Sequence, residues 1–214
     1  MHNRQRARND AQKQVRRQTI INVAWHLFLK RDYAQITMAE VAQRAGLAKG
    51  TVYLYFATRE ELFLAVHAQQ LGEWFDTLDA QLGTVATPCT AETVATLLGA
   101  SLAHRPGMIR LLGLLHSVLE HHIGHETARA FKAMLRTRLT TTAALLETHL
   151  PTLAVGQGSV LMLRIYALII GLGQLAHPAP TIDSLLSEPA MAIFVVPFES
   201  ELIASVTALI LGMI

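Results

Sequence analysis

The sequence predicts an all-α protein in two parts, an N-terminal three-helix unit over residues 1–57 and a longer helical region over residues 58–214. Three observations carry this. Apolar residues recur at i, i+3, i+4 and i+7 in segment after segment, the period of an amphipathic helix. The stretch Thr37 to Phe56, TMAEVAQRAGLAKGTVYLYF, reads as two short helices joined by a glycine turn, a helix-turn-helix whose second helix suits the major groove of DNA. Charge also divides the chain: residues 1–60 hold 11 Lys and Arg against 4 Asp and Glu, and residues 61–214 hold 7 against 12, so +7 and −5 make the overall +2. The basic part is the one with the helix-turn-helix, as phosphate binding needs.

Taken in order, residues 2–10 are polar and carry Arg4, Arg6 and Arg8, the composition of a mobile arm able to reach phosphates or a minor groove. A first helix is expected from about Ala11 to Lys30, with Ile20, Val23, Ala24, Leu27 and Phe28 as its stripe and Trp25 and His26 partly buried beside it. Thr37, three residues before Glu40, has the spacing of a capping box, in which the hydroxyl takes the Glu40 amide and the carboxylate reaches back. Met38, Val41, Ala42 and Ala45 follow as one stripe, with Glu40, Gln43 and Arg44 left to solvent. Gly46 can enter the left-handed conformation that ends such a helix. The second short helix starts near Ala48, anchored by Leu47, Val52 and Phe56.

Thr58 with Glu61 repeats the capping box and opens a long helix through about Leu82. Leu62, Phe63 and Val66 would face the N-terminal unit, and Leu71, Trp74, Phe75 and Leu78 form a later stripe. Gly72 between them costs about 1 kcal/mol relative to alanine, which points to close helix packing there, or else to a bend. Gly83 to Thr90 reads as a loop, and Thr90 caps a helix through about Ala103 carrying Val94, Leu97, Leu98 and Leu102. Pro106 suits the first turn of the next helix, on which Met108, Leu111, Leu112, Leu115, Val118 and Leu119 keep helical spacing. Another runs from about Glu126 to Leu150, with Phe131, Met134, Leu135, Leu145 and Leu146 inward and Arg129, Lys132 and Arg136 as a solvated face.

Residues 159–176, SVLMLRIYALIIGLGQLA, approach a membrane span in length, but Arg164 inside it would be costly there. A helix apolar nearly all round is instead expected to be buried on both sides, against its own chain and against a second copy, with Gly171 and Gly173 permitting close approach to that copy. After the loop HPAPTIDSLLSEP, a last helix begun by Pro197 runs through about Met213, with Leu202, Val206, Leu209 and Ile210 on one face.

Other signals narrow the function. Cys89 is the only cysteine, so no intrachain disulfide forms, and beside Pro88 it reads as a loop residue. The charged N-terminus lacks the apolar core of a secretory signal, which leads to the expectation of a cytoplasmic protein. No nucleophile elbow, phosphate loop or paired carboxylates stand out. EHHIGHE, Glu120 to Glu126, places His121 and His125 four apart, but zinc needs three or four ligands in fixed geometry and Gly124 interrupts the spacing. The expectation is no enzyme, no cofactor and no metal.

AEVAQRAGLAKGTVYLYFATREELF holds the AxxAG, KGTxYxYF and xxREEL positions together, and closely resembles the DNA-binding domain of the tetracycline-repressor (TetR) family of bacterial regulators. The resemblance covers about residues 15–66. It implies a homodimeric, ligand-responsive repressor released from a palindromic DNA operator by a small inducer, which the scarcity of charge on the later stripes would make apolar or aromatic. Carried over position by position, Thr37 would contact phosphate, Lys49, Gly50 and Thr51 would lie at the groove, Tyr53 and Tyr55 would hold phosphate, and Arg59 would add a backbone contact. Ala48 departs from the pattern, since many members carry a hydroxyl there. The C-terminal region would pair the subunits through about residues 159–176 and 198–213. It would also hold an inducer among Trp74, Leu78, Met108, Leu112, His116, Phe131, Met134 and Tyr166. Two rival readings stand beside this: a DNA-binding protein whose C-terminal half binds another protein, and a metal-dependent enzyme using the cluster from His116 to His125.

Overall fold

The computed structural model describes residues 2–213, with the backbone alone described for residues 2–9 and 180. Among the described residues all regular structure is helical, as the periodicity predicts. The chain forms two compact units, Met1–Gln69 with Leu115–Arg129, and Gln70–Leu114 with Ala130–Ile214.

In the first unit, α1 (His2–Phe28) buries Ile20, Ile21, Ala24, Leu27 and Phe28. It begins at His2, well before the expected Ala11, since the polar N-terminal sequence holds no Pro or Gly to stop it. The side chains of Arg4, Arg6 and Arg8, on which the arm reading rests, lie outside the described residues. Trp25 is half-buried and stacks on Phe28, but His26 is exposed, because it faces away from the Ala24–Leu27–Phe28 stripe.

Thr37 caps α2 (Met38–Arg44), its Oγ1 accepting the Glu40 amide at 3.2 Å. The reciprocal half of that box does not form. Glu40 is held instead by the guanidinium groups of Arg31 and Arg44, charge-assisted partners that a neutral amide does not displace. Gly46 takes φ 67°, and the Leu47 amide reaches Ala42 O at 2.9 Å while the Gly46 amide reaches Gln43 O at 3.2 Å. That pair of bonds is the Schellman stop, and it turns the chain into α3 (Lys49–Tyr53), which Val52 and Phe56 anchor.

At the head of α4 (Arg59–Leu82) Thr58 Oγ1 accepts the Glu61 amide at 3.0 Å, and the Glu61 carboxylate reaches back one residue further than the expected box, its Oε2 accepting the Ala57 amide at 3.0 Å. Glu61 Oε1 also accepts from the Gly124 amide at 3.2 Å and the Thr127 hydroxyl at 3.1 Å, and Thr58 Oγ1 donates to His122 O at 3.0 Å. These bonds fasten the turn over residues 119–127 to the start of α4.

The second unit takes the rest of α4, α5 (Ala91–Ala103), α6 (Pro106–Gly113), most of α7 (His125–His149), α8 (Gln157–Ala176), α9 (Pro180–Leu186) and α10 (Phe198–Leu211). Thr90 caps α5 and Pro106 opens α6 as expected. α6 stops at Gly113 although the apolar spacing continues to Leu119. There the chain enters irregular turns, with the Glu120 amide bonded to Leu115 O at 3.0 Å, and a short 3-10 helix, Leu119–His122. Leu115 and Leu119 are buried all the same.

Glycine roles also differ from expectation. A Cβ on Gly173 would overlap Ile109 of α6, so this glycine serves packing within the chain, and Gly171 opens onto free space. Gly72 meets only Arg138 Nη2, 3.8 Å away, which is not a tight approach. The expected loop over 177–189 contains α9, and a 3-10 helix, Pro189–Phe194, follows it before α10.

Candidate nucleic-acid interface and ligand cavity

α3 has one buried side, Val52 at 0% and Phe56 at 3% exposure just beyond it, and its other residues form an outward face. Lys49 and Gly50 are exposed, Thr51 and Tyr55 are half-buried, and Tyr53 and Leu54 are exposed to 44% and 84%. Lys49 Nζ lies 5.9 Å from the centre of the Tyr53 ring, so the cation and the phenol share one edge of the face. Thr37 is exposed at the start of α2; its oxygen serves the cap, which leaves the hydroxyl proton to donate outward. Ala48 stands at the N-cap of α3, where it offers no side-chain cap.

Arg59 is employed differently from the other residues named on sequence. Its guanidinium stacks over the Tyr33 ring at 4.1 Å and donates through Nη1 to Ile36 O at 3.2 Å and Tyr33 O at 3.4 Å. Its Nε is 3.5 Å from Glu60. Arg59 therefore ties the turn ahead of α2 to α4 and holds the head in shape from inside. Burial and the 2.6 Å hydrogen bond to Glu60 push the Tyr33 phenol well above its usual range. Burial raises the Glu60 carboxyl, but the hydrogen bond from Tyr33, a backbone amide and the Arg59 charge outweigh it and leave the group below its ordinary value.

Elsewhere in this unit His67 of α4 is fully buried, and burial together with the His116 charge lowers its pKa to about 3. His116 reaches Glu120 at 2.9 Å on a half-exposed site, and His121, His122 and His125 are exposed. Among the described residues, no three His, Cys, Asp or Glu side chains gather as a metal site would require.

The second unit encloses a cavity of about 10 Å³ lined by ten side chains of α4, α6, α7 and α8, the size of a single water at most. Trp74, Met108, Leu112 and Tyr166, named on sequence, line it. Leu78 is buried elsewhere in the same unit, Phe131 and Met134 stand off the lining, and His116 belongs to the first unit. The remaining lining is Leu71, Phe75, Leu135, Leu139, Met162 and Ile169. Their spacing, 71 with 75, 135 with 139 and 162 with 166 and 169, is the helical signal that could have singled them out. Trp74 Nε1 is already satisfied by Ser101 Oγ at 2.9 Å, so the lining offers no charge and at most the Tyr166 phenol as a polar contact.

α8 and α10 frame an open groove of about 820 Å³ lined by Arg164, Ala167, Leu168, Gly171, Leu172, Leu175, Ser205, Ala208 and Leu209. Leu163 and Leu175 of α8 are exposed to 61% and 58%, and Leu211 of α10 to 57%. α8 is also long and apolar enough to cross a membrane, and 28% of its apolar window is buried. One side is packed and the other is bare.

Comparison with known proteins gives two adjoining family matches. The model described as "Bacterial regulatory proteins, tetR family" covers residues 20–66, and "Tetracyclin repressor-like, C-terminal domain" covers residues 68–214. The fatty acid metabolism regulator protein of Bacillus subtilis (strain 168) is 28% identical over 76 residues, 36% of this chain; the match spans 39% of that protein's length, so well under half of it. A protein of Rhodococcus sp. RHA1 has a similar fold, with TM-score 0.65 and 18% identity over 91% of this chain and 94% of that one. So does the transcriptional regulator FadR from Bacillus subtilis, solved in complex with stearoyl-CoA, with TM-score 0.55 and 17% identity over 92% and 98% of the two chains. At these identities the structural likeness is one of fold.

Proposed function

The chain belongs to the tetR family of bacterial regulatory proteins, and from that premise we propose that it is a sequence-specific, DNA-binding transcriptional repressor that acts as a homodimer and releases its operator when a small apolar or aromatic ligand binds. The observation that carries this is the outward face of α3, presented by a helix-turn-helix whose shape is locked from behind by Val52, Phe56, the Gly46 stop and the Arg59 staple. Lys49 and Gly50, with Thr51, face the groove, and Thr37, Tyr53 and Tyr55 hold phosphates beside it. Arg59 acts by keeping that geometry.

The bare face of α8 and α10 supports a pairing surface for a second copy, which would set two such heads about one helical turn, ~34 Å, apart. The inducer reading rests on the apolar cavity of the second unit. As it stands, about 10 Å³ admits no ligand, so binding requires the lining helices to part. A ligand that needs that parting biases the protein toward a different conformation, with a coupling on the order of 1–3 kcal/mol. The fold neighbour solved with stearoyl-CoA fits the same reading, in that an uncharged lining suits an apolar chain or ring.

Selection of bound duplexes from random DNA by the purified protein tests the proposal. A palindrome with half-sites one turn apart supports it, and recovery of no preferred sequence defeats it. A second reading, a regulator whose C-terminal half binds another protein, draws on the exposed Ile193 and Phe194 beyond α9. It is favoured if no apolar compound alters operator affinity.

A further inference from the structure

The outward face of α3 raises a question of specificity. Phosphate contacts position a protein on DNA, whereas base edges are read by side chains in the groove. Here the face offers one long cation, Lys49, a half-buried Thr51 hydroxyl and the Tyr53 phenol, a thin set of hydrogen-bonding groups for choosing a sequence. A large apolar side chain also stands out on it: Leu54, exposed to 84%.

A lone exposed leucine is ordinary on a protein surface. This one stands apart through its surroundings. It continues α3 in right-handed helical conformation at φ −72°, ψ −18°, and a leucine in that conformation leans back over the turn preceding it. The residue four positions back is Gly50, which is exposed and where an added Cβ would meet nothing within 4 Å. Gly50 and Leu54, four residues apart, thus share the side of the helix opposite Val52, an open glycine backbone followed by an exposed isobutyl group, and the shallow space above Gly50 is bordered by Leu54.

We propose that Leu54 and Gly50 together form a thymine-reading notch, in which the Leu54 methyl groups receive the 5-methyl group of one thymine per half-site while Gly50 lets the helix come close enough for the contact. The inference rests on the DNA-binding reading and adds to it a base preference and the residues that set it. In the major groove the thymine methyl is the one apolar feature that separates T from C, and apolar side chains read it by contact. A leucine cannot accept or donate a hydrogen bond, so at its position it distinguishes by methyl group alone.

The test uses the full-length protein on duplexes recovered by selection. Each thymine of the half-site is replaced in turn by deoxyuridine, which removes the methyl and keeps the base-pairing and groove hydrogen-bonding pattern. For the unsubstituted protein, replacement at one position should weaken binding about four-fold per half-site and about fifteen-fold when both are changed, the loss of roughly one buried methyl each. Leu54→Ala should bind thymine and deoxyuridine duplexes equally at that position and keep the parent's response elsewhere. Its thermal unfolding should match the parent's, because the side chain is exposed. Gly50→Ala, which fills the notch, should likewise erase the discrimination.

A half-site without thymine, or a methyl effect that Leu54→Ala retains in full, overturns the inference and leaves the DNA-binding reading standing. Failure to enrich any sequence overturns both, and the two failures are distinguished by the selection step alone.

Discussion

Arg59 and Lys49 carry the same charge and lie ten residues apart, but they do different work. Arg59 is bonded to the Tyr33 and Ile36 carbonyls and stacked on a ring, with a side chain only 31% exposed; Lys49 is exposed. Lys49→Ala should weaken operator binding and reduce the slope of log affinity against log salt by about 0.9 for each lysine withdrawn from a phosphate. Arg59→Ala should leave that slope unchanged and cost about 1.5–3 kcal/mol of stability, the range for hydrogen bonds to a charged group, read by urea unfolding. A slope lowered by Arg59→Ala would place its guanidinium on a phosphate after all. The buried His67 gives a separate test. Its folded pKa of about 3 lies below the ordinary 6.5, so between those values the unfolded chain binds a proton that the folded chain does not. Stability is then complete above pH 6.5 and falls as the pH drops toward 3. The expected loss between pH 6.5 and 5 is about 2 kcal/mol, seen as a falling unfolding midpoint that flattens in His67→Gln. Glu40 and Glu60, both held below their ordinary 4.5, contribute stability that is present above that value and lost beneath it, so the upper window isolates the histidine.

Among the elements, those closed by local chemistry were legible in the sequence. α2 begins at its Thr37 cap and ends at Gly46, α4 runs from its Thr58 cap to Leu82, and α5 and α6 open at Thr90 and Pro106. The errors fall where tertiary partners decide. Leu115 and Leu119 keep helical spacing, but both are buried by a wide turn in the first unit, so the pattern overran the end of α6. Glu40 was expected to face solvent because its partner Arg31 is brought to it only by folding, and the same holds for the Ile36 carbonyl that Arg59 meets. Half of the cavity candidates missed the lining because a helical stripe names a buried side without saying which part of it surrounds a void. Gly158 is a case where close helix packing outweighs local propensity. It enters α8 where a Cβ would overlap the Ala143 carbonyl of α7, a backbone atom that cannot turn aside, and its amide is bonded to Glu147 Oε1 at 2.9 Å. Gly158→Ala gains about 1 kcal/mol of helix propensity and should nonetheless destabilise the protein by about 1–3 kcal/mol through overpacking. At Gly72, where a Cβ would meet only Arg138 Nη2 at an ordinary 3.8 Å, the same change should be neutral or stabilising. Paired thermal unfolding curves decide it, and equal shifts at the two glycines would remove close packing as the cause.

At the scale of the molecule the question is what covers the outer face of α8 and α10. A membrane would have to accommodate Arg164, the eighth of the twenty residues of α8, inside the span, and a charge at such depth is expensive. A second copy avoids the cost, because a subunit interface can keep a guanidinium hydrated at its rim or bonded to partner oxygens while the leucines are withdrawn from water. The groove is self-complementary in kind, small residues at Ala167, Gly171 and Ala208 alternating with Leu168, Leu172, Leu175 and Leu209, which is what an interface repeated about a twofold axis needs. Leu175, exposed to 58% in the single chain, separates the alternatives. Replacing it by Asp costs the folded monomer within about 0.5 kcal/mol, as surface changes do, but places two unpaired carboxylates in the interface of a dimer. Sedimentation should then show a dimer for the parent protein and a shift toward monomer for Leu175→Asp, with unchanged helical content. Operator affinity should fall by well over tenfold, since one head on one half-site loses the second half-site's contribution, while binding to an isolated half-site stays as it was. A variant that remains dimeric with full operator affinity would put the pairing surface elsewhere and leave this face to a different partner.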